Sequence, residues 1–328
     1  MLRWLLLLLV GGVLLVPSTA QASGPDVFPD VRLSPNLRLL APSGVWGGEY
    51  TVPSGEHVRV FTSDDYPRDD QLNQNLANFL DSALHGAEIE TVTIYRYTTA
   101  EIEQVCGSAE ALACYAPDLE TIWTPAEPET FGFSAESALL HEYGHHVANA
   151  RSNAPWSAIN TGPKRWATYL NVCAEDKRGH MFPGAEDLEH YSLNPGEGWA
   201  ESYRVLNEQR LGLTPSPWQA VDELFQPDAR ALQLIAQDVL QPWKPRAAST
   251  LRGRLGAGRA RTYRISTPLD GNFRVSGPKG LKLTVLGPSS TLKSGARSVN
   301  TQVCGQRTLR VRVSAKRATS YQLKVTKP

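Results

Sequence analysis

His141-Glu142-Tyr143-Gly144-His145 is the stretch on which the reading of this chain turns. Upstream, Ser134 is a good N-cap and Glu136 suits the positive end of a first turn, so a helix is predicted from Ser134 to about Ala150. Residues four apart on a helix share a face. His141 and His145 can therefore present both imidazoles to one metal ion, with Glu142 beside the water such an ion would hold. Adjacent His146 points about 100 degrees round the helix and reads as a packed or surface residue. Gly144, unfavourable in a helix interior, reads as allowing a neighbouring strand to approach closely.

Two histidines are half of a tetrahedral catalytic site, which needs a third protein ligand and an open position. A third histidine ten residues after His141 would supply it, but Arg151 stands there, and Val147 stands where that arrangement needs Gly. The alternative is a carboxylate from a second helix, predicted from Glu197 to Leu211. Glu197 and Glu201 share a face of that helix, so Glu197 can ligate the metal while Glu201 accepts from the distal N–H of a ligand histidine. Glu186, Asp187 and Glu189, in an acidic loop after Pro183-Gly184, could replace Glu197 or hold calcium, but read first as solvated surface.

Taken together, His141-Glu-Tyr-Gly-His145 and Asn194-Pro-Gly-Glu197-Gly-Trp-Ala-Glu201 resemble the zincin metallopeptidases of the glutamate-ligand kind, and in particular the catalytic domain of anthrax toxin lethal factor. The resemblance implies Zn2+ on His141, His145 and Glu197, with Glu142 as general base and Glu201 supporting a ligand. It also implies a tyrosine shortly before the ligand glutamate as oxyanion donor. Tyr191 or its neighbour His190 would fill that place. The implied activity is hydrolysis of peptide bonds in a protein or peptide substrate. The alternative is a catalytically silent binding protein of the same fold.

Around these helices the pattern is α+β: strands within Glu49–Thr62, a helix over 70–84, strands over 90–98 and 120–124, and a further helix over 227–240. A catalytic domain is expected over 46–241, an active-site helix packed on a small sheet, followed by a Pro-containing linker over 242–250. Beyond Leu251, short alternating runs such as Leu309-Arg-Val-Arg-Val predict an all-β sandwich over 251–328, similar in texture to bacterial pre-peptidase C-terminal domains.

Arg3, about 13 apolar residues and then Ala20-Gln-Ala22 have the form of a signal peptide over 1–22, too short for the roughly 20 residues of a spanning helix. A lead-in over 23–45 would follow. The mature chain is expected to be secreted, with no transmembrane anchor. In an oxidising compartment Cys106 and Cys114 should form a disulfide, while Cys173 and Cys304 could pair or stay free.

The 328 residues carry 33 Lys/Arg and 33 Asp/Glu, a formal charge of zero. The zero is a cancellation: residues 247–328 contain 17 basic side chains and one acidic, Asp270, and the acidic excess lies in the remainder. With three aromatics in that tail (Tyr263, Phe273, Tyr321), a nucleic-acid platform is not expected. An anionic cell-surface polymer bound through residues 251–328 is the sharper expectation, and docking against the acidic domain the plainer one.

Overall fold

The computed structural model describes residues 44–328 apart from Glu110, Pro128, Phe131, Leu188, Gln219 and Ala220. The expected signal peptide, and the lead-in as far as residue 43, lie outside the described residues.

The N-terminal unit is mixed α+β. Its strands are β1 (Val45–Thr51), β2 (His57–Ser63), β3 (Thr93–Tyr97), β4 (Cys114–Ala116) and β5 (Thr121–Pro125). They form one sheet in the order β1-β2-β3-β5-β4, parallel at β2/β3 and β3/β5 and antiparallel at the two edges. Helices α1 (Asp70–Ser82) and α2 (Thr99–Cys106) make the crossovers that parallel pairing requires. Asp69 caps α1, and Thr98 with Glu101 forms a capping box on α2, a helix the sequence reading passed over.

A short hairpin, β6 (Glu129–Thr130) and β7 (Phe133–Ser134), leads into α3 (Ala135–Asn149), capped by Ser134 as predicted. Three short helices follow, α4 (Ala158–Thr161), α5 (Lys164–Tyr169) and α6 (Val172–Asp176), then α7 (Pro195–Leu211) and α8 (Ala229–Leu240). Asn194 caps α7, Pro195 occupies its first turn, and Gly212 ends it in the left-handed conformation. One core joins Val60, Ile94 and Ile122 of the sheet to Leu139, Leu140 and Tyr143 of α3 and Trp199 and Tyr203 of α7.

The C-terminal unit begins at β8 (Ser249–Leu255), two residues before the predicted boundary, and continues through β9 (Ala260–Ser266), β10 (Gly271–Ser276), β11 (Leu281–Leu286), β12 (Thr291–Gly295), β13 (Ser298–Val303), β14 (Thr308–Ala315) and β15 (Thr319–Thr326). These make two four-stranded antiparallel sheets, β13-β10-β15-β8 and β12-β11-β14-β9. Inward residues of both sheets, among them Phe273, Val275, Leu283, Val311 and Leu323, form a separate core. Burial alternates strictly along β14 and β15, so the sandwich predicted from alternation is present.

The units meet through hydrogen bonds and one covalent link. Lys164 Nζ donates to the carbonyls of Ala154 (2.7 Å) and Asp270 (3.1 Å), and Arg307 donates to the Thr168 carbonyl (3.0 Å). Cys173 pairs with Cys304, so the outcome left open by the sequence is a bridge between the units; Cys106 pairs with Cys114 as expected. No helix among the described residues is long and apolar enough to cross a membrane.

Candidate metal centre

α3 and α7 lie against each other, and glycine sets how closely. A Cβ on Gly144 would stand 2.9 Å from Ala200 Cα, nearer than side-chain carbons approach. The close neighbour of Gly144 is therefore a helix, correcting the strand expected there; a motif on one helix does not say which element will cover it. The indole N–H of Trp199 donates to the Gly144 carbonyl (2.9 Å), fixing the rotation of α7 against α3. At the start of α7, a Cβ on Gly196 would meet the Ile159 carbonyl, so this end of α7 also needs glycine to seat on α4.

That packing brings His141, His145 and Glu197 together, all buried. His141 Nε2 lies 3.3 Å from His145 Nε2 and 3.2 Å from Glu197 Oε2, and His145 Nε2 lies 3.4 Å from the same oxygen. On its other side, His141 Nδ1 is 3.0 Å from Glu201 Oε2. An Nδ1–H donated to that carboxylate leaves the Nε2 lone pair directed at the other two atoms. Three lone-pair atoms at this spacing need a proton or a cation between them. Ligand distances of about 2.0–2.1 Å at a tetrahedral angle place ligand atoms about 3.3 Å apart, so this donor set fits a zinc-sized dication.

Electrostatics supports the same conclusion. Burial alone would lower the His141 imidazole, but its hydrogen bonds with Glu197 and Glu201 outweigh that and raise it to about 9. Burial alone would raise Glu197, yet the charge of His145 and hydrogen bonds to both histidines bring it down to about 2. Glu201 is likewise held near 2, against its burial, by Arg204 and His141. Without a metal the site retains a proton to satisfy its carboxylates.

Arg204 is a residue the sequence reading missed. Fully buried, it donates Nε to Glu201 Oε2 (2.8 Å), Nη2 to Glu201 Oε1 and Nη1 to Glu208 Oε1 (2.6 Å). Ser137 of α3 also donates to Glu208 Oε1 (2.7 Å), tying the chain of contacts back to the first helix. Glu201-x-x-Arg204-x-x-x-Glu208 carries helical pairing distances, a signal that was legible.

The flanking residues separate clearly. Glu142 is buried, and its charge helps raise His141. Tyr191, in a short 3-10 turn (Tyr191–Leu193) before α7, donates its hydroxyl to Glu197 Oε2 at 2.8 Å. His190 turns away: its Nδ1 lies 2.8 Å from Asp187 Oδ1 and its ring rests on Phe182. Asp187 and Glu189 gather with His190 in an exposed group of their own, apart from His141 and His145. His146 is packed, with Nε2 2.8 Å from the Glu88 carbonyl and Nδ1 3.0 Å from the Tyr115 hydroxyl; burial pushes its imidazole below the usual range.

No family model and no curated protein sequence matches the chain. Among solved structures, the periplasmic inhibitor of g-type lysozyme PliG from Aeromonas hydrophila is 11% identical, covering 24% of this chain and 85% of that one at a TM-score of 0.23. The Yersinia pseudotuberculosis-derived mitogen is 9% identical (26% and 88% covered, TM-score 0.22), and a mutant of the Escherichia coli PliG is 14% identical (24% and 86%, TM-score 0.19). Likenesses at these scores bear neither on fold nor on activity, and the site is read from its own chemistry.

Proposed function

We propose that this chain is a secreted zinc-dependent endopeptidase with a zincin-like N-terminal unit. The observation that carries the reading is the near-equilateral set His141 Nε2, His145 Nε2 and Glu197 Oε2, with edges of 3.2, 3.3 and 3.4 Å. A zinc ion held by these three residues supplies Lewis acidity, acidifying water and polarising a carbonyl oxygen. Glu142, next to His141 on α3, takes the proton from the attacking water and delivers it to the leaving amine. Tyr191, whose hydroxyl already lies at Glu197 Oε2, donates to the oxyanion that develops on the substrate carbonyl. Glu201 orients His141 through Nδ1–H, and Arg204 keeps Glu201 ionised and in place.

The two disulfides support an oxidising, extracellular or envelope location. The deciding experiment compares the purified chain with Glu142→Gln on an unfolded protein substrate, with and without chelator, while zinc content is measured. Chelator-sensitive cleavage by the unmodified chain alone, with equal zinc in both, is the expected result. Equal cleavage by both, or no cleavage from a zinc-loaded chain, would sink the peptidase reading in favour of a silent binding protein.

A further inference from the structure

The sandwich carries a charge pattern for which peptide hydrolysis has no use. Its one acidic side chain, Asp270, is buried at the junction between the units, where it accepts from the Gly305 amide (2.8 Å) and from Arg307. Outward positions along the strands are exposed, in alternation with the buried inward ones.

On the outer face of β9, β14 and β11, Arg310 lies directly across from Arg264, and Arg312, two residues on, lies between Thr262 and Thr284. Lys282 sits opposite Ser314 on the same face. These four cations are exposed, and none has a carboxylate within ion-pair distance among the described residues. Like charges directly opposite each other destabilise a sheet. The other sheet avoids that arrangement: Arg252 and Arg254 face Gln322 and Ser320, and Arg274 faces Asn300 and Thr326. The Arg264–Arg310 opposition is therefore specific to one face.

We propose that the outer face of β9, β14 and β11 binds a carboxylate-bearing polysaccharide, with Arg264, Arg310 and Arg312 as its centre. Strand spacing of about 4.8 Å and a two-residue repeat of about 7 Å set these guanidinium groups on a regular grid, which suits a polymer with repeating charge. The planar fork of Arg pairs with carboxylates through two parallel hydrogen bonds, and Thr262, Thr284 and Ser314 add hydroxyls between the charges. Nucleic acid fits less well. Phe273 and Tyr321 are buried, and the guanidinium of Arg261 lies over the Tyr263 ring, 5.2 Å from its centroid, so the sandwich presents no run of open aromatic faces on which bases could stack.

The test is independent of zinc and of cleavage: binding of the full mature chain to immobilised polygalacturonate, with neutral dextran and single-stranded DNA as comparisons. Binding at about 50 mM salt, release by about 0.5 M, and none on dextran are expected. Arg264→Thr/Arg310→Ser/Arg312→Ser should weaken binding about tenfold or more, whereas Arg252→Ser/Arg254→Ser/Arg274→Ser should change it less than about twofold. The first triple variant should also unfold at a temperature no lower than the parent, since it removes an opposed like-charge pair. No binding at low salt, equal loss from both variants, or tighter binding to the DNA would overturn the proposal.

Discussion

The indole of Trp199 donates to the backbone carbonyl of Gly144, 2.9 Å away, so the helix that carries the two histidines is fastened to the helix that carries Glu197 within one turn of His145 and of Glu197. The geometry of the candidate site is thus a consequence of helix packing, and substitutions at the packing contact should be felt at His141, His145 and Glu197.

Gly144→Ala tests that relationship. Alanine gains about 1 kcal/mol of helix propensity, but its Cβ would sit 2.9 Å from Ala200 Cα, where backbone must move. Overpacking of this kind costs about 1–3 kcal/mol and should win, so chemical denaturation should show a net loss of stability. An unchanged or raised midpoint would mean that α7 shifts freely.

Arg204 and Glu201 separate stability from ligand support. Arg204→Ala strands two buried carboxylates and should cost roughly 3–5 kcal/mol. Glu201→Gln keeps the shape but removes the charge facing His141 Nδ1, and should weaken zinc binding about 10- to 100-fold in a competition titration. Unaltered zinc affinity would show that Glu201 serves packing alone.

Zinc affinity should depend on pH in a direction set by His141. Its imidazole holds a proton up to about 9 in the metal-free protein, while Glu197 stays ionised down to about 2. Binding zinc displaces that proton, so the apparent affinity should climb about tenfold per pH unit between about pH 6 and 8 and level off near 9. For the metal-free fold the sign is opposite. The raised His141 contributes stability that is complete below its ordinary 6.5 and lost as pH rises through 9. Glu201 contributes stability that is complete above its ordinary 4.5 and lost as pH falls through 2. Metal-free unfolding curves should therefore be most favourable, from these groups, between about pH 4.5 and 6.5.

Lys164 gives an alkaline counterpart at the junction of the units. Burial lowers its ammonium to about 8, only partly opposed by the charges of Asp270 and Asp238. The unfolded chain, with the ordinary 10.5, binds that proton more strongly, so this group makes stability rise with pH between about 8 and 10.5. Lys164→Met should lack that rise. Unfolding midpoints of the two proteins across this window measure it directly, and parallel curves would refute the assignment.

Much of this was legible because periodicity and capping are local. Ser134 and the alternation along Leu309–Val313 marked elements that the structure contains, and four-residue spacing brought His141 toward His145 and Glu197 toward Glu201. What local pattern could not supply was the partner across space. Gly144 announced a close neighbour without saying whether it was strand or helix. Tyr191 and His190 differ by one position in a turn, and only the turn's direction decides which meets Glu197. Cys173 and Cys304 are separated by 131 residues, a distance over which no spacing rule operates. Arg204 was the avoidable omission, since its two glutamate partners lie within one helix.

The Cys173–Cys304 bridge has a consequence for turnover of the protein. It joins the units at a second covalent point, besides the Pro-containing connection that precedes β8, so the chain is tied together twice. A nick in that exposed connection would leave both pieces as one particle under oxidising conditions. Release of the N-terminal unit would then await a reductant, and a single cut by a foreign protease would not separate it from the sandwich.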